Sequence, residues 1–274
     1  MLMSKKDIKI GLALGGGGAL GYAHIGVLEV LKEHGINIDM VAGTSMGAII
    51  GGAWACGLST DHMRDIATKI KTHNLLDFNM QLKGGLLGGT SALKLIQNAV
   101  NVENFEDLKM PFACTASDLL SGEQVVLNKG NLIQAIRASM SIPGLFNPVD
   151  YEDRYLIDGG MLGNVPSQVV KDMGADFVIA IDIMGDYKLT SKPKLVPMVL
   201  LHTVFMQGSC ITQKSINKEN TDVLINMNLG YMKMLEFTKE NAIRWIYHAR
   251  RETEKAIPEI KKKLQELQEK MDKE

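Results

Sequence analysis

The sequence predicts an α/β protein of three layers (α/β/α), in which helices cover both faces of a mainly parallel central sheet. Short apolar runs typical of buried strands alternate with amphipathic stretches typical of helices, in the order strand, helix, strand, helix over the first 56 residues. The 274 residues contain no repeat and no Pro/Ser-rich linker, which predicts one domain over 1–274. Its motifs lie within about 8–183, and a helical extension covers about 239–274.

The first four elements follow from local patterns. An apolar run over 8–14 predicts a strand, which ends at four successive glycines. The stretch 21–34 has apolar residues at the spacing of one helix face, and Gly35 stands where a helix favours its end. A second strand is predicted over 40–42, and a helix of small residues over 48–56.

The later elements are predicted by the same patterns. Further strands are expected at 112–117, 124–127, 155–157, 177–183 and 222–225. Further helices are expected at 92–100, 132–139, 167–173 and from 239 onward. Pro258 predicts an interruption or kink in the last helix, because proline lacks the backbone N–H that a helix interior uses.

Composition and charge exclude several classes of protein. Apolar residues make up 46% and charged residues 22%, as in soluble globular proteins, and 30 basic against 31 acidic residues predict no nucleic-acid partner. Cys56, Cys114 and Cys210 are widely spaced, so we expect no metal site and reduced thiols in the cytoplasm. The uncharged stretches 40–60 and 195–213 contain glycines or polar residues, which favours buried segments over membrane spans. A second interpretation of 195–213 is a surface that contacts lipid at the periphery of a membrane.

The glycine run after the first strand has two functional interpretations. Gly16, Gly18 and Gly21 satisfy G-x-G-x-x-G, and Asp39 follows near the position of a ribose-binding acid, as in NAD-dependent enzymes. The same geometry also suits an oxyanion hole, because glycines admit a ligand close to free backbone N–H groups. A purely structural tight turn is the third interpretation.

Residues 43–47 read Gly-Thr-Ser-Met-Gly, the pattern G-x-S-x-G, between a predicted strand and a predicted helix. This is the context of a nucleophile elbow, so Ser45 is the predicted nucleophile and the N–H of Met46 a predicted oxyanion donor. None of the six histidines lies in a pattern typical of a triad base. Asp158 ends an apolar strand before two glycines and is the candidate base, if burial raises its pKa, although a simple turn is the alternative.

Four blocks in this order resemble the patatin-like phospholipases, in particular the small single-domain bacterial type. The blocks are 15–18 with Gly21, 43–47, 138–143 with Phe146 and Pro148, and 158–160 with Asn164 and Pro166. The resemblance implies a Ser45–Asp158 dyad, oxyanion donors at Gly16, Gly17 and Gly18, and no metal or nucleotide cofactor. It implies hydrolysis of fatty-acyl esters of lipids, such as phospholipids or lysophospholipids. One departure is Leu20, where the family commonly has a basic residue.

Several alternatives stay open at this point. An acyltransferase would use the same nucleophile, a regulatory protein would keep the fold without turnover, and an oxidoreductase would bind NAD at the glycines. Besides the lipid or acyl-ester substrate, contact with a membrane surface and homo-oligomer formation are left open. The segments 75–90 and 195–213 are candidate covers over the site. An acyl groove or ordinary core packing would account for the apolar residues Met80, Leu82, Leu86, Leu87, Met198, Leu200, Leu201 and Met206.

Overall fold

The computed structural model describes residues 7–72, 84–87, 102–231 and 234–273, and single positions 89, 91, 94, 97, 98 and 100. Its strands are β1 (Ile10–Leu14), β2 (Met40–Thr44), β3 (Gly85–Leu87), β4 (Phe112–Asp118), β5 (Gln124–Leu127), β6 (Gly144–Phe146), β7 (Val149–Tyr151), β8 (Arg154–Asp158), β9 (Phe177–Asp182) and β10 (Val223–Asn226). Its α-helices are α1 (Ala23–Glu33), α2 (Met46–Ala55), α3 (Thr60–Lys69), α4 (Leu132–Ser139), α5 (Ser167–Asp172), α6 (Val196–Ser215) and α7 (Lys239–Met271).

The central sheet has eight strands in the order β10-β9-β1-β2-β4-β8-β7, with β5 paired to β4. The pairs from β10 to β4 are parallel, and β5, β7 and β8 are antiparallel to their neighbours. The sheet is therefore mixed with a parallel centre, which confirms the predicted α/β class. Since β1, β2 and β9 are parallel, the residues after their carboxyl ends meet at one edge, where such sheets bind ligands.

Side chains of β1 alternate between two apolar layers, as the period of a strand requires. Ile10, Leu12 and Leu14 belong to the larger core, which includes residues of α1, α2, α3, α4 and α7. Ala13 belongs to a smaller core on the opposite face, where α5 contributes Val169 and other residues. The helices therefore cover both faces of the sheet, as the three-layer prediction requires.

Helix α7 packs against α1 at a glycine. A Cβ atom on Gly26 would overlap the carbonyl oxygen of Ile246, so a larger residue would push the two helices apart. Beside this contact, Arg250 of α7 donates to the buried carboxylate of Glu29 at 2.9 Å and to Glu33 at 2.9 and 2.7 Å. Arg64 of α3 donates to the same Glu29 carboxylate, so the ion pairs join three helices.

The predicted interruption at Pro258 is wrong, since α7 runs continuously from Lys239 to Met271. Proline removes the N–H that would bind the carbonyl of Glu254, and both residues are exposed, so water can bind that carbonyl instead. The predicted strand 124–127 and helix 132–139 have the bounds of β5 and α4. Most of the predicted helix 92–100 and of the predicted cover 75–90 lies outside the described residues.

The segment 195–213 forms most of α6. Leu195, Val196, Val199 and Leu200 at its start are exposed, whereas Phe205 further along is buried. Across the part of the chain that the structure describes, no helix combines the length and hydropathy that a membrane crossing needs.

Candidate active site

Ser45 stands in the sharp turn between β2 and α2. Its backbone has φ 54° and ψ −120°, a conformation that non-glycine residues rarely adopt and that stores strain. The N–H of Ser45 donates to the buried hydroxyl oxygen of Ser139 at 2.9 Å, which holds the turn. The geometry is that of a nucleophile elbow, with α2 directing the positive end of its dipole at this residue.

The register of the sheet brings Asp158 to the same place. Thr44 pairs with Thr115 across β2 and β4, and the next residue of β4, Ala116, pairs with Asp158 of β8. A hydrogen bond of 2.7 Å between the hydroxyls of Thr44 and Thr115 joins β2 to β4 at this level. Ser45 and Asp158 are therefore brought together by strand pairing, although they are distant in the sequence.

Asp158 is 3% exposed and interacts with the Ser45 hydroxyl. One carboxylate oxygen accepts from the N–H of Gly160 at 2.8 Å, and the N–H of Asp158 donates to the carbonyl of Ser141 at 2.9 Å. Burial raises the pKa of Asp158 to about 6, while the hydrogen bonds from Gly160 and Ser45 act in the opposite direction. A carboxylate with this pKa is a stronger base than an exposed aspartate.

The glycine loop (Gly15, Gly16, Gly17 and Gly18) follows β1 and lies next to this pair. Asn164 accepts a hydrogen bond from the N–H of Gly16 at 3.1 Å and donates to the Gly16 carbonyl at 3.0 Å. Within the described residues, the N–H groups of Gly17, Gly18 and Met46 have no acceptor. Because the Gly16 N–H already binds Asn164, the geometry does not favour the predicted donor role of Gly16.

Among the described residues, no histidine lines a cavity that contains Ser45. His24 is fully buried, its Nε2–H donates to the carbonyl of Gly15 at 2.7 Å, and burial lowers its pKa to about 4. It supports the glycine loop as a packed, neutral side chain. His34 pairs with Glu254 at 2.9 Å, and His73 lies outside the described residues.

The dinucleotide interpretation fails on the position of Asp39. This residue directly precedes β2, at the amino end of the strand, whereas a ribose-binding acid stands beyond the carboxyl end. Its carboxylate accepts from the N–H of Ile10 at 2.7 Å, at the start of β1 and away from the glycine loop. Asp39 therefore joins two strands and has no role in a nucleotide site.

Two cavities meet at Ser45 and Gly18. The polar cavity, of about 30 Å³, is lined by Asp158, Asn164, Asp182, Ser209 and Tyr231 among other residues. The apolar cavity, of about 370 Å³, lies within the range of small-molecule binding sites. Its described lining residues are Gly18, Tyr22, Ser45, Met46, Ile49, Ile50, Ala53, Leu58, Met63, Ile66, Ala67, Ile70, Thr72, Leu87, Met140, Ile142, Leu145, Phe146, Leu235 and Phe237.

The apolar cavity differs from the acyl groove considered from the sequence. Of those eight residues, Leu87 lines it, whereas Met198, Leu200 and Met206 are exposed on α6 and Leu201 packs against the core. Met80 and Leu82, and the side chain of Leu86, lie outside the described residues. The difference arises because apolar composition alone does not tell which side of a helix faces the site.

Sequence reasoning missed the roles of Ser139 and Asn164, which hold the elbow and the glycine loop. Both lie in the blocks named above, so their proximity to the motifs was the available signal. Leu20 is fully buried in the larger core, so a basic side chain at this position would lose its contact with water. Over the described ranges, no group of three or more His, Cys, Asp or Glu residues has the arrangement of a metal site.

Comparisons with known proteins show the family of this chain. The sequence profile of the patatin-like phospholipases matches residues 12–170. An uncharacterized NTE family protein of Mycobacterium tuberculosis is 38% identical over 179 residues, which are 65% of this chain and 49% of that protein. Patatin-like phospholipase domain-containing protein 7 of Rattus norvegicus is 36% identical over 184 residues, 64% of this chain and 13% of that protein. This chain thus matches about half or less of the length of these relatives.

The crystal structure of VipD from Legionella pneumophila has a similar fold, with a TM-score of 0.61 at 15% sequence identity, over 93% of this chain and 67% of that chain. The profile match extends from β1 into α5 and so contains the glycine loop, the elbow and Asp158. On this evidence, the chain belongs to the patatin-like phospholipase family.

Proposed function

We propose that this protein hydrolyses fatty-acyl esters of lipids, with Ser45 as nucleophile and Asp158 as base. The observation that carries the proposal is the interaction of the Ser45 hydroxyl, in a strained elbow, with a buried carboxylate of raised pKa. A serine hydroxyl needs an adjacent base to attack an ester, and Asp158 supplies it without a histidine.

The reaction proceeds in two steps. Asp158 takes the proton of the Ser45 hydroxyl as its oxygen bonds to the ester carbonyl carbon, and collapse of the tetrahedral intermediate breaks the bond to the leaving alcohol, which takes the proton from Asp158. Water then attacks the acyl-enzyme and gives its proton to Asp158. Collapse of this second intermediate releases the fatty acid and returns the proton to Ser45.

The oxyanion of both intermediates needs donors. We assign the N–H groups of Gly17, Gly18 and Met46 to this role, because their positions adjoin Ser45 and they have no acceptor among the described residues. Donors of this kind contribute about 3 kcal/mol each to the stability of the transition state. Asn164 then acts as a positioning residue, since it holds the loop through Gly16.

A lipid surface is the proposed partner. Leu195, Val196, Val199 and Leu200 are exposed at the start of α6, and the exposed lysines of the preceding loop are Lys188, Lys192 and Lys194. Apolar side chains beside lysines are typical of segments that bind the interface of an anionic membrane. The same helix lines the polar cavity further along, so contact there would bring lipid close to Ser45.

The test is a panel of acyl esters, phospholipids and lysophospholipids, with the Ser45→Ala protein as the blank. We expect fatty-acid release by the wild type, none by Ser45→Ala, and a covalent fluorophosphonate adduct on Ser45. Activity that survives in the purified Ser45→Ala protein would overturn the proposal. An added alcohol that captures the acyl group in preference to water would instead indicate an acyltransferase. An NMR or calorimetric titration with NAD should show no binding.

A further inference from the structure

Two helices, α2 and α3, each contribute one face to the walls of the apolar cavity beside Ser45. The lining residues of α2 are Met46, Ile49, Ile50 and Ala53, and those of α3 are Met63, Ile66 and Ala67, with Ile70 directly after its last turn. Both sets have the spacing i, i+3, i+4, i+7, which places them on a single helix face. Such faces normally pack directly together, whereas these two enclose a space of about 370 Å³.

Few polar groups face this space. Apart from Ser45, the hydroxyls among the described lining residues are those of Tyr22 and Thr72. The Thr72 hydroxyl is occupied, since it accepts from the N–H of Phe237 at 3.1 Å and donates to its carbonyl at 3.2 Å. The Tyr22 hydroxyl is buried without a partner among the described residues. The cavity therefore suits a hydrocarbon chain whose reactive end lies at Ser45.

We propose that this cavity binds the acyl chain of the substrate and that Ala53 and Ala67 set the chain length that it accepts. The inference rests on the proposed function and assigns the acyl site to the cavity that α2 and α3 line. Ala53 and Ala67 are 7% and 3% exposed, and they are the smallest side chains on the two walls. A larger side chain at either position would fill space that the chain otherwise occupies.

The position of Ala53 gives the length of the acyl chain that would reach it from Ser45. It lies eight residues after Ser45, about 12 Å along the axis of α2 at a rise of about 1.5 Å per residue. An extended hydrocarbon chain advances about 1.25 Å per carbon, given bonds of about 1.5 Å, so about ten carbons reach Ala53. The proposal therefore predicts a preference for acyl chains of about ten carbons or more over acetate or butyrate.

The experiment measures kcat/KM for p-nitrophenyl esters from acetate to palmitate. For the wild type we expect kcat/KM to rise by up to about fourfold per added methylene group until the cavity is filled. Ala53→Phe and Ala67→Phe should end this rise at shorter chains, so that kcat/KM falls far more for palmitate than for acetate. His62→Phe, on the exposed side of α3, is the matched control and should retain the wild-type profile.

A second readout does not depend on turnover. Calorimetry of palmitate with Ser45→Ala should detect binding, and adding Ala53→Phe to this protein should weaken it by at least about tenfold. Thermal unfolding checks that each variant folds, and Ala53→Leu replaces Ala53→Phe if the larger residue is not tolerated. Unchanged long-chain activity and palmitate affinity in the folded variants would overturn the acyl site while leaving the hydrolase proposal intact. Absent ester cleavage together with cavity-dependent palmitate binding would overturn the hydrolase proposal alone.

Discussion

Asn164 binds the backbone of Gly16 through both ends of its side-chain amide. It accepts from the N–H at 3.1 Å and donates to the carbonyl at 3.0 Å, and its own N–H donates to the Thr212 hydroxyl of α6 at 3.0 Å. Since Asn164 follows Asp158 after a short turn, one segment carries the proposed base and fixes the loop that carries the proposed oxyanion donors.

Asn164→Ala should therefore lower kcat by about 10- to 100-fold with a smaller change in KM, because a loop displaced by about 1 Å loses its alignment with the oxyanion. Steady-state kinetics with a soluble ester measure this split. Asn220→Ala is the control, since Asn220 is a buried, hydrogen-bonded asparagine that does not line either cavity. Equal losses in the two variants would indicate a general effect on folding.

The catalytic candidates were predictable from sequence because flanking glycines and strand ends mark them locally. The hydrogen-bond partner of Gly16 was not predictable, because its contact with Asn164 depends on how β1 and the segment after β8 are placed in the sheet. The walls of the apolar cavity illustrate the same limit. The spacing of Met46, Ile49 and Ala53 predicts a buried helix face, but whether that face packs or encloses space depends on its distance from α3.

The pH dependence follows from Asp158. Burial raises its pKa to about 6, and the base must be ionised to take the Ser45 proton. We expect kcat/KM to be constant above this pH and to fall by about tenfold per pH unit below it. Asp182→Asn is the control. Asp182 also lines the polar cavity and has a pKa raised by burial, but its variant should keep the same fall of kcat/KM at low pH. A pH-independent kcat/KM between about pH 5 and 8 would contradict the role of Asp158.

Asp158→Asn should lose activity and gain stability. A folded-state pKa near 6, above the ordinary value near 3.8, means that the stability contributed by the protonated group is present below about pH 4 and is lost as the pH rises through about 6. The neutral amide avoids this loss, which is on the order of 3 kcal/mol above pH 6. Urea unfolding of both proteins should show a difference that narrows as the pH falls from about 6 towards 4. A constant difference would show that ionisation is not its cause.

Two substitutions at Ser45 separate the strain of the elbow from its chemistry. Ser45→Ala and Ser45→Gly both remove the hydroxyl and should abolish hydrolysis. Glycine adopts φ 54° without strain, whereas alanine does not. Glycine also gives the unfolded chain more entropy, which offsets part of this gain. The net expectation is that Ser45→Gly is more stable than Ser45→Ala by about 1 kcal/mol. Urea unfolding measures the difference. A Ser45→Gly protein less stable than Ser45→Ala by the full entropy cost of glycine, about 0.4–1 kcal/mol, would mean that the elbow stores no strain at this residue.

Gly26→Ala tests whether the packing of α7 against α1 stabilises the fold and the site. In an exposed helix this change is stabilising by about 1 kcal/mol, because alanine is the better helix former. Here the new methyl group would meet the Ile246 carbonyl, a backbone atom that cannot turn aside, so we expect a loss of about 2 kcal/mol in the free energy of unfolding. Gly52→Ala is the control, since its methyl group would meet the movable end of the Ile136 side chain and should cost less. Because α1 follows the segment that begins at Gly18, displacement of α1 by α7 should also lower kcat/KM. Unchanged stability and activity would show that the two helices can move apart without a loss of free energy.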